Sequence, residues 1–413
     1  MERRKDKNNR VLKEGEFYRE KEHRYMYRWA DNDKKRHCVY AQTLAELRKK
    51  EKEINRNKDD GIKNDGSSVR LDDVFSLWKK NKIGLKESTL VNYLYMYNRF
   101  IYPNLGRAKL KDIKKSTIRS FYNTMTKDDD MGRVMAINTL EIIHNILFQI
   151  LQVAVDDDYI RKNPAQGVLK EIKQANNYET PKRKALTIGQ QNAFVNFLRS
   201  KPQYKNWGIL FAVLLGTGCR ISEFVGLRWC DIDWENDTIS INHNLVYRPN
   251  LNGKCCFSIT TPKTAAGSRT IDMQEDVRKA LLDEKNRQEE LGIKCEAKID
   301  GYEGFIFFNR FGLPHQPAAI NREIKRLVLA YNNQEMEAAE AENRTPILLP
   351  NFSCHNLRHT FCTRLCENEP NIKVIQEVMG HKDIKTTMEV YAEAQAELKK
   401  CAMKSLSNKM KIY

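Results

Sequence analysis

The 413 residues contain no apolar run approaching the ~18 residues that cross a membrane as a helix, which excludes a helical membrane protein. The opening stretch MERRKDKNNR lacks an apolar export-signal core, so a cytoplasmic protein is expected. Ten cysteines are present, but none are spaced as Cys-x-x-Cys. That spacing excludes the usual structural zinc sites and leaves reduced thiols as the simplest state. No metal-ligand set is visible, and no metal or cofactor is expected. Internal repeats and low-complexity tracts are missing too. At roughly 100–200 residues per domain, the length gives two to four domains with cores that need no disulfide staples.

Positive charge is abundant. The formal charge is +17, and it is unevenly spread. Residues 1–60 hold 19 basic against 13 acidic side chains, residues 61–183 hold 21 against 14, and residues 184–413 hold 31 against 27. The first 183 residues therefore carry most of the excess. A polyanionic partner fits this distribution, with N-terminal modules holding nucleic acid ahead of a less basic domain of different task. A merely soluble basic surface is the alternative reading.

Three short strands are expected within residues 15–41. In HRYMYRW, alternation puts Tyr25, Tyr27 and Trp29 on one face and Arg24, Met26 and Arg28 on the other. TLAELRKKEKEI reads as a helix whose Leu44, Leu47 and Ile54 cover the aromatic face. The uncovered face, with Arg24 and Arg28, is basic. A ribbon of this kind fits the major groove, and a small solvated α+β domain fits the pattern equally.

Residues 55–68 read as a linker, and 69–168 as helical throughout. Ser68 is a candidate N-cap, and an aromatic stripe is expected to close at Pro103 and Gly106. NTLEIIHNILFQILQVAVDD, apolar on most sides, is the central helix of a bundle, with His144 read as a core histidine. Lys79, Lys80, Lys86 and Arg99 are this bundle's candidate DNA contacts. Residues 176–187 read as a second, basic linker. After it come helices, a small sheet over DTISINHNLVYRP and KCCFSITTPKTAAGSRTIDM, and helices again from about 275 onward.

Four stretches carry chemistry. In TGCRISE, Gly218 allows a tight turn and Arg220 starts a helix, a good arrangement for a phosphate, although arginines often cap surface turns. In TPKTAAGSRTI, Lys263 lies beside a Gly/Ser turn, where a lysine is usually just solvated. In HNLRHTFCTRL, His355 and Arg358 are helix neighbours that can converge on one anion. In VMGHKDIKTTMEVY, Gly380 and His381 end one helix and Tyr391 follows on another.

Together these residues resemble the tyrosine recombinases, the phage-integrase family. That family's pattern is an arginine in T-G-x-R-x-x-E, a β-turn lysine, H-x-x-R, a G-H pair and a tyrosine shortly after. Arg220, Lys263, His355 with Arg358, His381 and Tyr391 match it in order. The spacing from His381 to Tyr391 is one residue longer than in many members. The N-terminal sheet and helix resemble the arm-site module of integrases from conjugative transposons of Gram-positive bacteria.

The resemblance implies a multidomain α+β chain in three parts. Residues 1–66 would form an arm-type DNA-binding domain, a three-stranded sheet with one helix. Residues 67–175 would form an all-α core-site domain, and residues 176–413 a mainly α catalytic domain with a small antiparallel sheet and a C-terminal tail helix. It also implies roles. Tyr391 would be the nucleophile, Arg220 and Arg358 the phosphate clamp, Lys263 the general acid, His355 a general base and His381 a hydrogen-bond donor. The expected partners are double-stranded DNA at core and arm sites, further copies forming a synaptic tetramer, and an excision factor. A type IB topoisomerase-like enzyme and a DNA-binding regulator with a vestigial site are the alternatives. The tail's Ala394, Leu398, Cys401, Ala402 and Leu406 form one stripe, expected to dock on a neighbouring protomer, with docking on its own catalytic domain the alternative.

Overall fold

The computed structural model describes residues 4–30, 36–59, 69–126, 134–176, 178, 183–250, 252–262 and 267–409. The chain divides into two compact units, Met1–Thr180 and Pro181–Tyr413. It is mainly helical with small antiparallel sheets. Among the described residues no helix is long and apolar enough to cross a membrane, and all nine described cysteines are free.

The first unit opens with antiparallel strands β1 (Glu16–Arg19), β2 (Arg24–Ala30) and β3 (Arg36–Ala41), in that order, with β2 central. Tyr25 and Tyr27 pack with Leu12, Ala41, Leu44 and Leu47 beneath helix α1 (Leu44–Asp59). Helix α1 runs to Asp59, so the first five residues of the expected linker are helical, and Ser68 lies outside the described residues. On the other face Arg28 stands over the Phe17 ring at 5.6 Å and Arg24 over Tyr40 at 4.1 Å. Met26, whose cross-strand partners are Phe17 and Tyr40, is buried on this face, the one expected to be open.

Helix α2 (Leu71–Asn81) starts at Arg70 rather than at Ser68, with the Asp73 carboxylate accepting the Arg70 backbone N–H at 2.8 Å. Helix α3 (Glu87–Met96) leads into a π-helix, Tyr97–Gly106. Pro103 lies inside this segment instead of closing it. The wider winding relieves the clash between a proline ring and the preceding turn, so the helix continues to Gly106. Helices α4 (Lys115–Thr126), α5 (Ile137–Asp156) and α6 (Val168–Ala175) complete the bundle. Helix α5 is its centre: Leu140, Ile143, Ile146, Leu147, Ile150, Leu151 and Ala154 are all buried. His144 belongs to this core, sharing a 2.9 Å hydrogen bond with the Tyr122 hydroxyl.

The second unit begins earlier than the linker reading placed it. Leu186 is 2% exposed and its N–H donates to Thr360 Oγ1 at 2.9 Å, while Thr187 caps the next helix. Helices α7 (Ile188–Ser200), α8 (Lys205–Thr217) and the one-turn α9 (Ile221–Phe224) come first. The expected single sheet is two. Strand β5 (Thr238–Ile241) lies between β4 (Ile232–Asp233) and the later β8 (Arg269–Asp272), antiparallel to both. Strands β6 (Asn244–Pro249) and β7 (Cys255–Thr260) make a separate hairpin. Helices α10 (Glu275–Leu291) and α11 (Pro317–Ala341) are separated by 25 non-helical residues, an interruption the sequence reading did not place. Helices α12 (Cys354–Asn368), α13 (Ile372–Met379) and α14 (Ile384–Lys409) close the unit. Its main core joins α7, α8, α10, α11 and the start of α12; a smaller one, around Cys362, Cys366, Ile375, Met379 and Ala394, joins α12, α13 and α14.

Because Leu147 is fully buried at the middle of α5, Leu147→Ala should leave a cavity costing about 2–5 kcal/mol. Hydrogen exchange read by mass spectrometry should speed up across α2 and α5 and stay unchanged in α8.

Candidate active site

Three stretches of the second unit meet at the C-terminal end of α13. A helix end leaves its last carbonyls without intrahelical donors. Here three successive carbonyls are taken by three arginines from three elements. Val378 O accepts from Arg269 Nε at 2.8 Å, Met379 O from Arg358 Nη2 at 2.6 Å, and Gly380 O from Arg220 Nη2 at 2.9 Å. Gly380, in the left-handed region at φ 61°, then turns the chain and sets His381 beside them.

Each arginine is fixed at a second point. Arg220 Nη1 donates to Glu223 Oε1 at 2.7 Å, and its backbone N–H to Glu223 Oε2 at 2.9 Å. Arg269 Nη2 donates to the same Oε2 at 2.9 Å. Arg358 Nη1 donates to Gly218 O at 2.8 Å. Gly218 has φ 59°, and a Cβ there would lie 2.3 Å from the Phe361 ring, so only glycine lets α8 turn this close to α12.

Burial and charge set the protonation states. Burial alone would raise the Glu223 carboxyl, but the Arg269 hydrogen bond and the Arg269 and Arg220 charges outweigh it and hold the pKa below the ordinary value. Arg358 is 4% exposed and makes no ion pair among the described residues; burial and the Arg220 charge lower its pKa to about 10. It stays cationic at neutral pH, in a place that disfavours its charge until an anion arrives. His381 shares a 3.0 Å hydrogen bond with Thr387, and burial together with Arg358, Arg220 and Arg269 lowers its pKa to about 4. His355 keeps an exposed edge, and partial desolvation plus Arg183, Arg358, His359 and Arg220 lowers its pKa to about 4 as well. Both rings are neutral at pH 7. At the end of α13, three guanidinium groups against one carboxylate leave two uncompensated positive charges, and Arg183 acts on His355 besides.

Tyr391 lies in the second turn of α14, half-buried, its ring packed on the cluster of Cys362, Cys366, Ile375, Met379 and Ala394. The packing holds it against α12 and α13, which carry the other groups. Lys263 falls outside the described residues, in the stretch between β7 and β8. Arg220, His355, Arg358 and His381 thus come together. Arg24, Arg28, Lys79, Lys80, Lys86 and Arg99 lie in the first unit: Arg24 and Arg28 on the outer sheet face, Lys79 and Lys80 exposed at the end of α2, Lys86 at the α3 N-cap and Arg99 exposed on the π-helix. Arg269 and Arg183 were not singled out from sequence, and Glu223 entered only as the last position of the T-G-x-R-x-x-E motif. A signal existed for Arg269: strand alternation puts it on the same face as buried Ile271.

Residues 184–397 match the Phage integrase family. The chain belongs to that family. It is a tyrosine-type site-specific recombinase. Residues 1–58 match the DNA binding domain of Tn916 integrase, and residues 71–126 the phage integrase N-terminal SAM-like domain. The transposase from transposon Tn916 of Enterococcus faecalis is 29% identical over 98% of this chain and 97% of its own length. The ICEBs1 integrase of Bacillus subtilis is 24% identical over 85% and 86%. Among solved structures, the Tn1549 transposon integrase in complex with transposon right end DNA is similar to this integrase with TM-score 0.67 and 28% identity, over 81% of this chain and all of that one.

The depressed histidines give a pH dependence with a definite sign. In the fold they stay neutral down to about pH 4, whereas unfolded imidazoles take up a proton near their ordinary 6.5. Their contribution to stability is therefore complete above about pH 6.5 and lost as pH falls toward 4. The urea midpoint should drop across that window, and the double variant His355→Asn, His381→Asn should show a shallower drop.

Proposed function

We propose that the protein integrates and excises a mobile element of the conjugative-transposon kind, cutting and rejoining DNA through a covalent 3′-phosphotyrosine at Tyr391. One observation carries the mechanism: two uncompensated cationic charges beside two neutral imidazoles, within one helix packing of a tyrosine. A phosphodiester brings one negative charge, and attack by a phenolate raises it to two in the transition state. Fixed donors that cost no reorganisation favour that second charge.

In this reading Arg220 and Arg358 hold the non-bridging oxygens, with His381 adding a donor. The Tyr391 oxygen bonds to phosphorus while the bond to the 5′ oxygen breaks. His355, neutral beforehand, takes the phenol proton, and Lys263 gives a proton to the departing 5′ oxygen. The phosphotyrosine keeps the bond energy, so a 5′ hydroxyl of another strand reverses the steps without ATP. A topoisomerase-like reading accounts for these residues but not for a first segment similar to the DNA binding domain of Tn916 integrase.

The domain roles follow the same reading. Residues 1–66 hold arm sites through the basic, aromatic outer face with Arg24 and Arg28, residues 67–175 hold core sites through Lys79, Lys80, Lys86 and Arg99, and residues 176–413 cut. Four copies assemble at synapsis, the end of α14 docking on a neighbour, and an excision factor biases the direction. Ala394, expected in the docking stripe, instead packs on its own unit at 1% exposed; Leu398, Cys401, Ala402 and Leu406 have side chains outside the described residues.

Tyr391→Phe should bind a nicked duplex made from the DNA flanking the gene as the wild type does, and form no covalent adduct on a denaturing gel. An adduct retained in that variant would place the nucleophile elsewhere. A chain of residues 67–413 should still cleave a core site but lose recombination between complete sites; full recombination by that chain would reject the arm role.

A further inference from the structure

Of the three arginines at the end of α13, Arg269 has no part in the chemistry just described. Its side chain is 6% exposed, deeper than the 36% of Arg220. It differs from Arg358 in another way, since its charge is already met by the Glu223 carboxylate. Neither the exposure nor the charge of a phosphate ligand is left to it. Its cost is plain, because Nη1 is buried with no hydrogen-bond partner among the described residues, and such a donor forfeits about 1–3 kcal/mol. Buried ion pairs also contribute little net stability compared with apolar packing. Stability alone does not account for an arginine here.

Geometry does. Nε and Nη2 of one planar guanidinium bridge Val378 O and Glu223 Oε2. Glu223 in turn holds Arg220 by side chain and backbone, and Val378 is three residues before His381. The rigid fork therefore spans two stretches that reach the phosphate from different helices, α9 and α13. We propose that Arg269 is a positioning residue that sets the separation of Arg220 and His381 from the third element, β8, without touching DNA. This rests on the recombinase mechanism above. A lysine supplies the charge but not the fork, so it meets one of the two acceptors at a time.

The test uses full-length wild type, Arg269→Ala and Arg269→Lys on the nicked duplex from the flanking DNA. Binding is read by gel shift, adduct formation by denaturing gel, and histidine titration by NMR of ring-labelled protein. Misplacement of a clamp by about 1 Å costs on the order of 100-fold in rate. Arg269→Ala should slow adduct formation by about that factor with binding within about threefold, and Arg269→Lys should recover part of the rate. In the alanine variant the His381 titration should also move up from about 4 toward 6.5, since one of the cations depressing it is gone. Adding Glu223→Gln to Arg269→Ala should slow the reaction no further than Glu223→Gln alone. Should the alanine variant fail to fold, a folded lysine variant as fast as wild type overturns the proposal, and a slowed one upholds it. Wild-type rates in Arg269→Ala, or additive losses with Glu223→Gln, overturn the positioning role and leave the recombinase reading standing. Absence of any adduct with wild type would instead overturn that reading, and the proposal with it.

Discussion

The three carbonyls at the end of α13 are the constraint on which the second unit's site depends. A helix C-terminus is a partial negative charge, and here it takes the place of a bound anion. Arg269, Arg358 and Arg220 converge on it from β8, α12 and the turn before α9. Each reaches it only because a further contact fixes its other end: Glu223 for two of them, the Gly218 carbonyl for the third. Guanidinium groups with like charge are thereby held together before any phosphate is present. Pre-paid convergence of this kind is what electrostatic catalysis requires, since donors that must be gathered during the reaction lose most of their advantage.

The same arrangement explains why charge and burial pull against each other here. One carboxylate serves two arginines, and Arg358 has only neutral carbonyls. Both histidines are kept neutral first by desolvation and then by the positive potential of the neighbouring arginines. A neutral imidazole can take a proton; a charged one cannot. On both imidazoles, by contrast, burial and the charge of the cationic clamp act in the same direction.

Much of this was legible in the sequence, for reasons that differ by element. The strands of the first unit follow from strict alternation around Tyr25 and Tyr27, and α5 from an apolar run that buries most of its sides. Arg220, His355, Arg358, His381 and Tyr391 could be selected because their short motifs, taken in order, resemble those of the tyrosine recombinases; spacing alone joined only His355 to Arg358. What failed depended mostly on contacts distant in sequence, and in one case on an unusual local winding. Leu186 reads as linker, and it is buried only because Thr360 and the α7–α12 core receive it. Pro103 reads as a stop, and a π-helix carries it. Met26 reads as exposed, and it is buried between its cross-strand partners Phe17 and Tyr40. Glu223 and Arg269 are 46 residues apart, and no local pattern announces that they share an ion pair. The split of one expected sheet into two followed β8 pairing back to β5 across the intervening hairpin.

Helix α14 runs unbroken through 26 residues, with Tyr391 in its second turn. At 1.5 Å per residue, the 18 residues beyond Tyr391 extend about 27 Å. Ala394, one turn further on, is the small side chain at which this rod rests against α12 and α13. Tyr391 rests on that same cluster, so one packing surface seats both the ring and the base of the rod, and the length beyond it reaches away from the site.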